Sequence, residues 1–191
     1  MRICVYCASS SMVDRKYFKA TEKLAKSLVL EGIEVVYGGG AKGLMGQLAD
    51  TILAHGGKIK GVIPRFMDEI EWGHKEVSDF EYTDTMHERK ARLLEGADAI
   101  VALPGGTGTL EELLETITLK RLGLYTGPII ILNTDGFYDP LRQMLERCVE
   151  EHFMDTRHRD MWRFVNEPED VLSTIYNTEK WDENAISFAT R

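Results

Sequence analysis

Short apolar runs alternate along the chain with longer stretches in which apolar positions return every three or four residues. The runs Arg2–Ala8, Glu34–Tyr37, Lys58–Ile63, Phe80–Thr83, Ala99–Leu103 and Ile129–Asn133 predict strands, with a weaker seventh at Trp162–Val165. Several are continuous and rich in Val and Ile, the pattern of strands covered on both faces. The stretches Arg15–Glu31, Leu44–His55, Met86–Leu94, Leu110–Leu122, Pro140–His152 and Glu169–Tyr176 predict helices. Asp14 stands where it can cap the first, and Gly32, Gly56-Gly57, Gly96 and Gly123 stand where four of them should stop. Strand and helix in steady alternation imply parallel strands joined by right-handed crossovers. The expected fold is therefore α/β: a Rossmann-like, doubly wound, mainly parallel sheet of about six to seven strands with helices on both faces. Residues 1–181 fit one domain, and polar residues 182–191 are expected to form a flexible tail.

Composition narrows the classes of function. The chain has 191 residues, long enough for one sizeable core, and a net charge of −8. That charge disfavours a general nucleic-acid surface, although local N–H groups can still hold a small anion. No apolar stretch approaches the roughly 20 residues that span a bilayer, and the N-terminus does not read as a signal peptide. With three cysteines there is no disulfide framework, so a cytoplasmic protein is expected. Cys4 and Cys7 have the spacing of a redox or zinc pair. Both fall in a predicted strand, where residues three apart face opposite sides, so they are expected to be buried structural thiols. The five histidines are scattered, without metal-ligand spacing, and neither metal nor cofactor is expected.

The most informative segment is Pro104-Gly105-Gly106-Thr107-Gly108-Thr109-Leu110-Glu111-Glu112. It joins a buried strand to a helix expected to begin near Leu110. Unpaired N–H groups and a positive dipole at such a turn suit a phosphate. Glu111 and Glu112 are expected in the first helical turn. A phosphate cradle with a carboxylate beside it suggests an enzyme acting on a phosphorylated sugar.

A second glycine loop, Gly38 to Gly46, holds five glycines in nine residues. Gly38, Gly40 and Gly43 formally satisfy the dinucleotide fingerprint G-x-G-x-x-G. Yet the loop follows the second strand rather than the first. About 20 residues on, where an acidic residue should hold the ribose, stand Ile63, Pro64 and Arg65. NAD is thereby disfavoured, and a Walker loop is absent because no Gly-Lys-Ser/Thr occurs. Tight turns alone would need fewer glycines. Two such loops on one sheet suit the two ends of one nucleotide. Finally, Met86-His87-Glu88-Arg89-Lys90 opens a helix just before the strand that feeds the first loop. Arg89 there offers a planar fork to a phosphate or a base, whereas His87 reads as structural.

Assembled, these segments resemble the Lonely Guy (LOG) family of cytokinin riboside 5′-monophosphate phosphoribohydrolases, long labelled lysine decarboxylases. The resemblance runs from about Ile3 to Phe153. It rests on Cys7-Ala8-Ser9-Ser10, Val36-Tyr37-Gly38-Gly39-Gly40, Gly43-Leu44-Met45-Gly46, Gly61-Val62-Ile63-Pro64, Glu71-x-x-His74, Met86 to Lys90, and the segment from Pro104 to Glu112. It implies cleavage of the N-glycosidic bond of a nucleoside 5′-monophosphate, giving an adenine-type base and ribose 5-phosphate. By the same resemblance Arg89 and Glu112 are catalytic. The family's substrate contacts fall on Glu71, Lys90, the run Gly106, Thr107, Gly108, Thr109, Leu110, Glu111 and Glu112, and Thr118; Gly105 in the same loop and Ser9, Gly39, Gly40, Gly43 and Met45 in the others are further candidates for binding substrate. A homodimer is also implied. Where the family often has Thr-Trp-x-Gln-Leu-Gly, this chain has Thr118-Leu119-Lys120-Arg121-Leu122-Gly123, which leaves the base preference open.

The chemistry is consistent with these roles. N-glycoside cleavage passes through an oxocarbenium-like sugar, which a carboxylate such as Glu112 can stabilise. Arg89 stays charged, so it would anchor the nucleotide or stabilise charge on the leaving base rather than donate a proton. Two other readings differ in what they require. A nucleotide or nucleotide-cofactor carrier needs the glycine loops but not the carboxylate. A pyridoxal-dependent decarboxylase needs a Schiff-base lysine and a phosphate cup.

Overall fold

In the computed structural model, residues 1–68 and 73–189 are described. Seven strands, β1 (Arg2–Tyr6), β2 (Glu34–Tyr37), β3 (Lys58–Pro64), β4 (Asp79–Thr83), β5 (Ala99–Ala102), β6 (Ile129–Leu132) and β7 (Arg163–Val165), form one sheet in the order β4-β3-β2-β1-β5-β6-β7. Every pairing is parallel. The helices are α1 (Arg15–Leu30), α2 (Gly43–Ala54), α3 (Arg65–Asp68), α4 (Met86–Leu94), α5 (Thr107–Arg121), α6 (Asp139–Glu150) and α7 (Asp170–Asn177). Short 3-10 turns follow β6, α6 and α7. The doubly wound sheet expected from the alternation is the observed fold.

Strand alternation sorts the core into two halves. On one face Ile3, Val5, Val35 and Val101 pack with Leu24 and Leu28 of α1, Leu48 and Ile52 of α2, and Val171 and Ile175 of α7. On the other, Cys4, Val36 and Ile100 pack with Leu93 of α4, Leu113 and Ile117 of α5, and Leu145 of α6. Each fully buried Leu or Ile contributes roughly 1.5–3 kcal/mol. The central strands, covered on both sides, therefore anchor the molecule. Cys4 and Cys7 lie in different halves of the core and are unpaired, as expected for residues three apart near a strand.

Two expectations are corrected. Helix α5 starts at Thr107, three residues earlier than Leu110, because Gly106 takes an extended conformation (φ −86°, ψ −157°) and serves as the N-cap. Glu111 and Glu112 thus fall beyond the first turn. The tail expected from the polarity of residues 182–191 is, as far as it is described, packed structure. Ala185–Phe188 form a 3-10 turn with Ala185, Phe188 and Ala189 buried. Phe188 stacks on His158, Arg157 lies over Phe188, and Arg121 donates to the carbonyl of Ala189. Isolated apolar residues in a polar stretch give no periodic signal, and here they do the packing.

The order of strands reverses at β1, with β2 on one side and β5 on the other. Ligands of doubly wound sheets bind in the crevice at the carboxyl ends of the strands on either side of such a point. The loops after β1, β2 and β5 meet there.

Candidate active site

A cavity of about 310 Å³ opens between these loops. Its floor is the end of β1, with Tyr6, Cys7 and Ser9. One wall is Gly106 to Thr109 at the start of α5, and the opposite wall is Gly38, Met45 and Met67. Arg89 and Glu112 lie in the lining, with Met86 and Glu111 at their sides. A smaller, adjoining cavity of about 180 Å³ shares Ser9, Gly38, Met45, Met67 and Arg89 and adds Gly40 and Ile63.

Arg89 is buried and held by three elements. Its Nε donates to the carbonyl of Val62 on β3 at 3.1 Å. Its Nη2 donates to the carbonyl of Gly38 after β2 at 3.4 Å, and its Nη1 donates to Glu112 Oε1 on α5 at 2.6 Å. Thr85 places Arg89 by capping α4, accepting from the Glu88 N–H. The Glu112 side chain is 11% exposed and paired with an Arg89 side chain 8% exposed. Burial raises the pKa of Glu112 above the usual carboxylate range, and the charge and hydrogen bond of Arg89 oppose that rise. Charge-assisted pairs of this kind are among the stronger and better-defined contacts in proteins.

The two glycine loops differ in what their glycines face. A Cβ on Gly106 or Gly108 would meet no atom within 4 Å, and neither glycine has a positive φ. Nothing inside the protein requires glycine at either position; the space they leave opens on the cavity. Gly106 caps α5 without a side-chain bond, so the first N–H groups of the helix face that same space with the dipole behind them. By contrast, a Cβ on Gly43 (φ +63°) would come within 2.5 Å of the Ser9 backbone, and one on Gly39 (φ +78°) within 2.9 Å of Phe80. A Cβ on Gly105 would overlap Thr109.

The structure thus brings Arg89, Glu112, Ser9, Met45, Gly106, Thr107, Gly108, Thr109 and Glu111 to one cavity, and Gly40 to its neighbour. Gly39, Gly43 and Gly105 stand behind the walls as packing glycines. Leu110 is half-buried against the core. Lys90 is turned into the α4–α5 seam, paired with Glu111 at 2.8 Å and Glu115 at 3.0 Å. Those carboxylates hold its pKa above the ordinary lysine value. Thr118 is exposed on α5, its hydroxyl donating to the Leu114 carbonyl. Glu71 lies outside the described residues. Sequence reasoning missed Tyr6 and Met67 as lining residues, and the carbonyls of Val62 and Gly38 as the acceptors that aim Arg89. Backbone acceptors leave no mark in a sequence, and Met67 belongs to a helix too short to show a period.

A Schiff-base cofactor does not fit this lining. Among the described residues the larger cavity presents no lysine, and the smaller only the exposed Lys42. Among the described residues there is also no cluster of His, Cys, Asp and Glu able to hold a metal ion.

Sheet, crevice, open glycine turn and buried Arg–Glu pair together define a Rossmann-like protein with a candidate ligand site at its topological switch point. Comparison with known proteins narrows the class. A family described as possible lysine decarboxylase matches residues 45–175. A probable cytokinin riboside 5′-monophosphate phosphoribohydrolase of Oryza sativa subsp. japonica is 41% identical over 94% of this chain and 78% of that protein. A cytokinin riboside 5′-monophosphate phosphoribohydrolase of Arabidopsis thaliana is 43% identical over 83% of this chain and 74% of that protein. The chain belongs to this family, the Lonely Guy family. In fold it is also similar to the molybdenum cofactor carrier protein of Chlamydomonas reinhardtii, with a TM-score of 0.71 at 15% identity, over 93% of this chain and 96% of that one. A molybdenum cofactor binding protein of Rippkaea orientalis gives a TM-score of 0.70 at 19% identity, over 92% and 94%.

Proposed function

We propose that this protein hydrolyses the N-glycosidic bond of an adenosine 5′-monophosphate, plain or N6-substituted, releasing the free base and ribose 5-phosphate. The observation that carries the reading is the buried Arg89–Glu112 pair opening on the same cavity as the Gly106–Thr109 cradle. The names of the relatives in rice and Arabidopsis support it. The 5′-phosphate sits on the first N–H groups of α5, in the space that Gly106 and Gly108 leave open. The ribose then lies over Glu112, one helical turn further on. Its carboxylate stabilises the positive charge that grows on the sugar as the base departs. Arg89 keeps its charge throughout and is fixed before substrate arrives, so no reorganisation is required of it at the transition state.

Within this proposal the protein is a cytoplasmic homodimer that acts on free nucleotides, with no nucleic acid or membrane as partner. Its three unpaired cysteines suit a reducing compartment. No helix among the described residues is long and apolar enough to cross a membrane. A carrier remains the second reading, favoured only by the fold shared with the molybdenum cofactor proteins; a carrier has no use for a buried carboxylate facing the ligand.

The test is chromatography of the purified protein after incubation with adenosine 5′-monophosphate and, separately, with isopentenyladenosine 5′-monophosphate, using the nucleosides as controls. Base released only from the monophosphates supports the proposal, and the two rates rank the bases. Tight nucleotide binding with no base released replaces it with the carrier.

A further inference from the structure

His74 is buried, although it lies in the long connection between β3 and β4 and lines neither cavity. Its contacts point to one tautomer. The Glu76 N–H donates to Nδ1 at 3.3 Å, so the ring proton sits on Nε2, which faces Asp50 Oδ1 of α2 at 3.0 Å. The His74 backbone N–H donates to the carbonyl of Gly39 at 3.0 Å, and Gly73 makes an antiparallel bridge with Gly40. A Cβ on Gly73 would overlap the carboxylate of Asp68, so Gly73 also lies against the end of α3, which carries the cavity residue Met67.

A short path leads from there to the reacting groups. The backbone of Gly39 and Gly40, gripped by Gly73 and His74, continues into Gly38, whose carbonyl is one of the three acceptors that aim Arg89. From this we infer that His74, locked by Asp50, is a positioning residue for the reaction: it holds the Gly38–Gly40 backbone and, through the Gly38 carbonyl, the guanidinium of Arg89. The inference rests on the hydrolase reading above. It adds a role that the cavity lining alone does not reveal, since His74 acts entirely from behind the wall.

The experiment is steady-state kinetics on adenosine 5′-monophosphate with His74→Ala, His74→Gln, Asp50→Ala and the double Ala variant. Circular dichroism checks that each is folded, and calorimetry reads nucleotide affinity. Misplacing a catalytic group by about 1 Å costs up to a hundredfold. The expected result is a fall in kcat of roughly ten- to a hundredfold for His74→Ala, a similar or smaller fall for Asp50→Ala, and no further fall in the double variant. His74→Gln, whose amide can still donate to Asp50, should recover most of the loss. A folded His74→Ala protein with unchanged kcat overturns the inference, as does a loss of thermal stability alone. Full additivity of the two Ala substitutions also overturns it. If the unsubstituted protein releases no base from adenosine 5′-monophosphate or from isopentenyladenosine 5′-monophosphate, the hydrolase reading fails instead. The loop is then read by calorimetry: weaker nucleotide binding by His74→Ala, recovered in His74→Gln, sustains the positioning role, and equal affinity ends it.

Discussion

The two glycine-rich loops on either side of β1 look alike in sequence and have different reasons for their glycine. In the loop after β2, the glycines are required by the protein itself. Gly43 passes against the Ser9 backbone, Gly40 against Met45, and Gly39 and Gly43 have positive φ. In the loop after β5, Gly106 and Gly108 have ordinary φ and empty space where a Cβ would stand. The difference teaches that glycine content alone does not mark a binding site. A glycine that neither the backbone nor the packing requires is the one that points to a ligand.

The largest effect should come from the carboxylate that follows the open loop. Glu112→Gln keeps the volume and a hydrogen-bond acceptor for Arg89, so the fold and nucleotide binding should survive. Turnover should drop about 10²- to 10⁴-fold, read as base released per enzyme against nucleotide affinity by calorimetry. Turnover within a few-fold of the unsubstituted protein would remove Glu112 from the chemistry.

Next comes the contrast between the loops. Gly106→Val adds atoms to open space and should leave the melting temperature nearly unchanged while abolishing nucleotide binding. Gly43→Ala puts a Cβ on a positive-φ residue against backbone and should cost about 1–3 kcal/mol of stability, seen as a lowered melting temperature. If Gly106→Val binds nucleotide with unchanged affinity, or if Gly43→Ala is neutral, the distinction between the loops collapses.

The pH dependence is a smaller effect, and its sign is fixed. In the proposed reaction Glu112 must be ionised to stabilise a cationic sugar, and burial raises its pKa above the ordinary glutamate value. Activity should therefore fall on acidification with a midpoint above about 4.3, as kcat/KM reports groups of the free enzyme. Arg89 lowers that pKa, so Arg89→Gln should move the midpoint of the residual activity further up. A profile flat down to the ordinary glutamate value would contradict both the burial and the role.

The smallest effect has two parts of opposite sign. Gly108 lies in the first turn of α5 with helix-compatible space around it, so Gly108→Ala should raise stability by about 0.5–1 kcal/mol. Its methyl group enters the cavity, so nucleotide affinity should weaken. A variant both stabler and equally able to bind would show that the ligand does not pass that position.

Much of this was legible in the chain, for identifiable reasons. Continuous apolar runs such as Ala99–Leu103 and Ile129–Asn133 predict central strands because two-sided burial leaves no alternation. Both were found with their ends within a residue. Glycine stops and the Asp14 cap set the limits of α1 almost to the residue. Arg89 and Glu112 stand out as catalytic candidates only through resemblance, and their 2.6 Å contact was not legible, because 23 positions and a strand separate them. The start of α5 was misplaced since Thr-Gly-Thr has poor helix propensity, which an N-cap and tertiary packing override. Lys90 could be placed in the helix beside Arg89, but its turn toward Glu111 and Glu115 depends on how α4 meets α5, which no local pattern encodes.

The cavity walls are drawn from residues within segments 5–10, 38–45, 63–67, 86–89 and 106–112, on both sides of the central strand. No short segment of the chain contains the site, and neither flank of the sheet can form it alone. A nucleotide seated there acts as a tie between the two flanks, bound only when the whole sheet has assembled. At a hundredfold excess over its Kd it should add about 2.7 kcal/mol to the stability of the entire fold rather than to one loop.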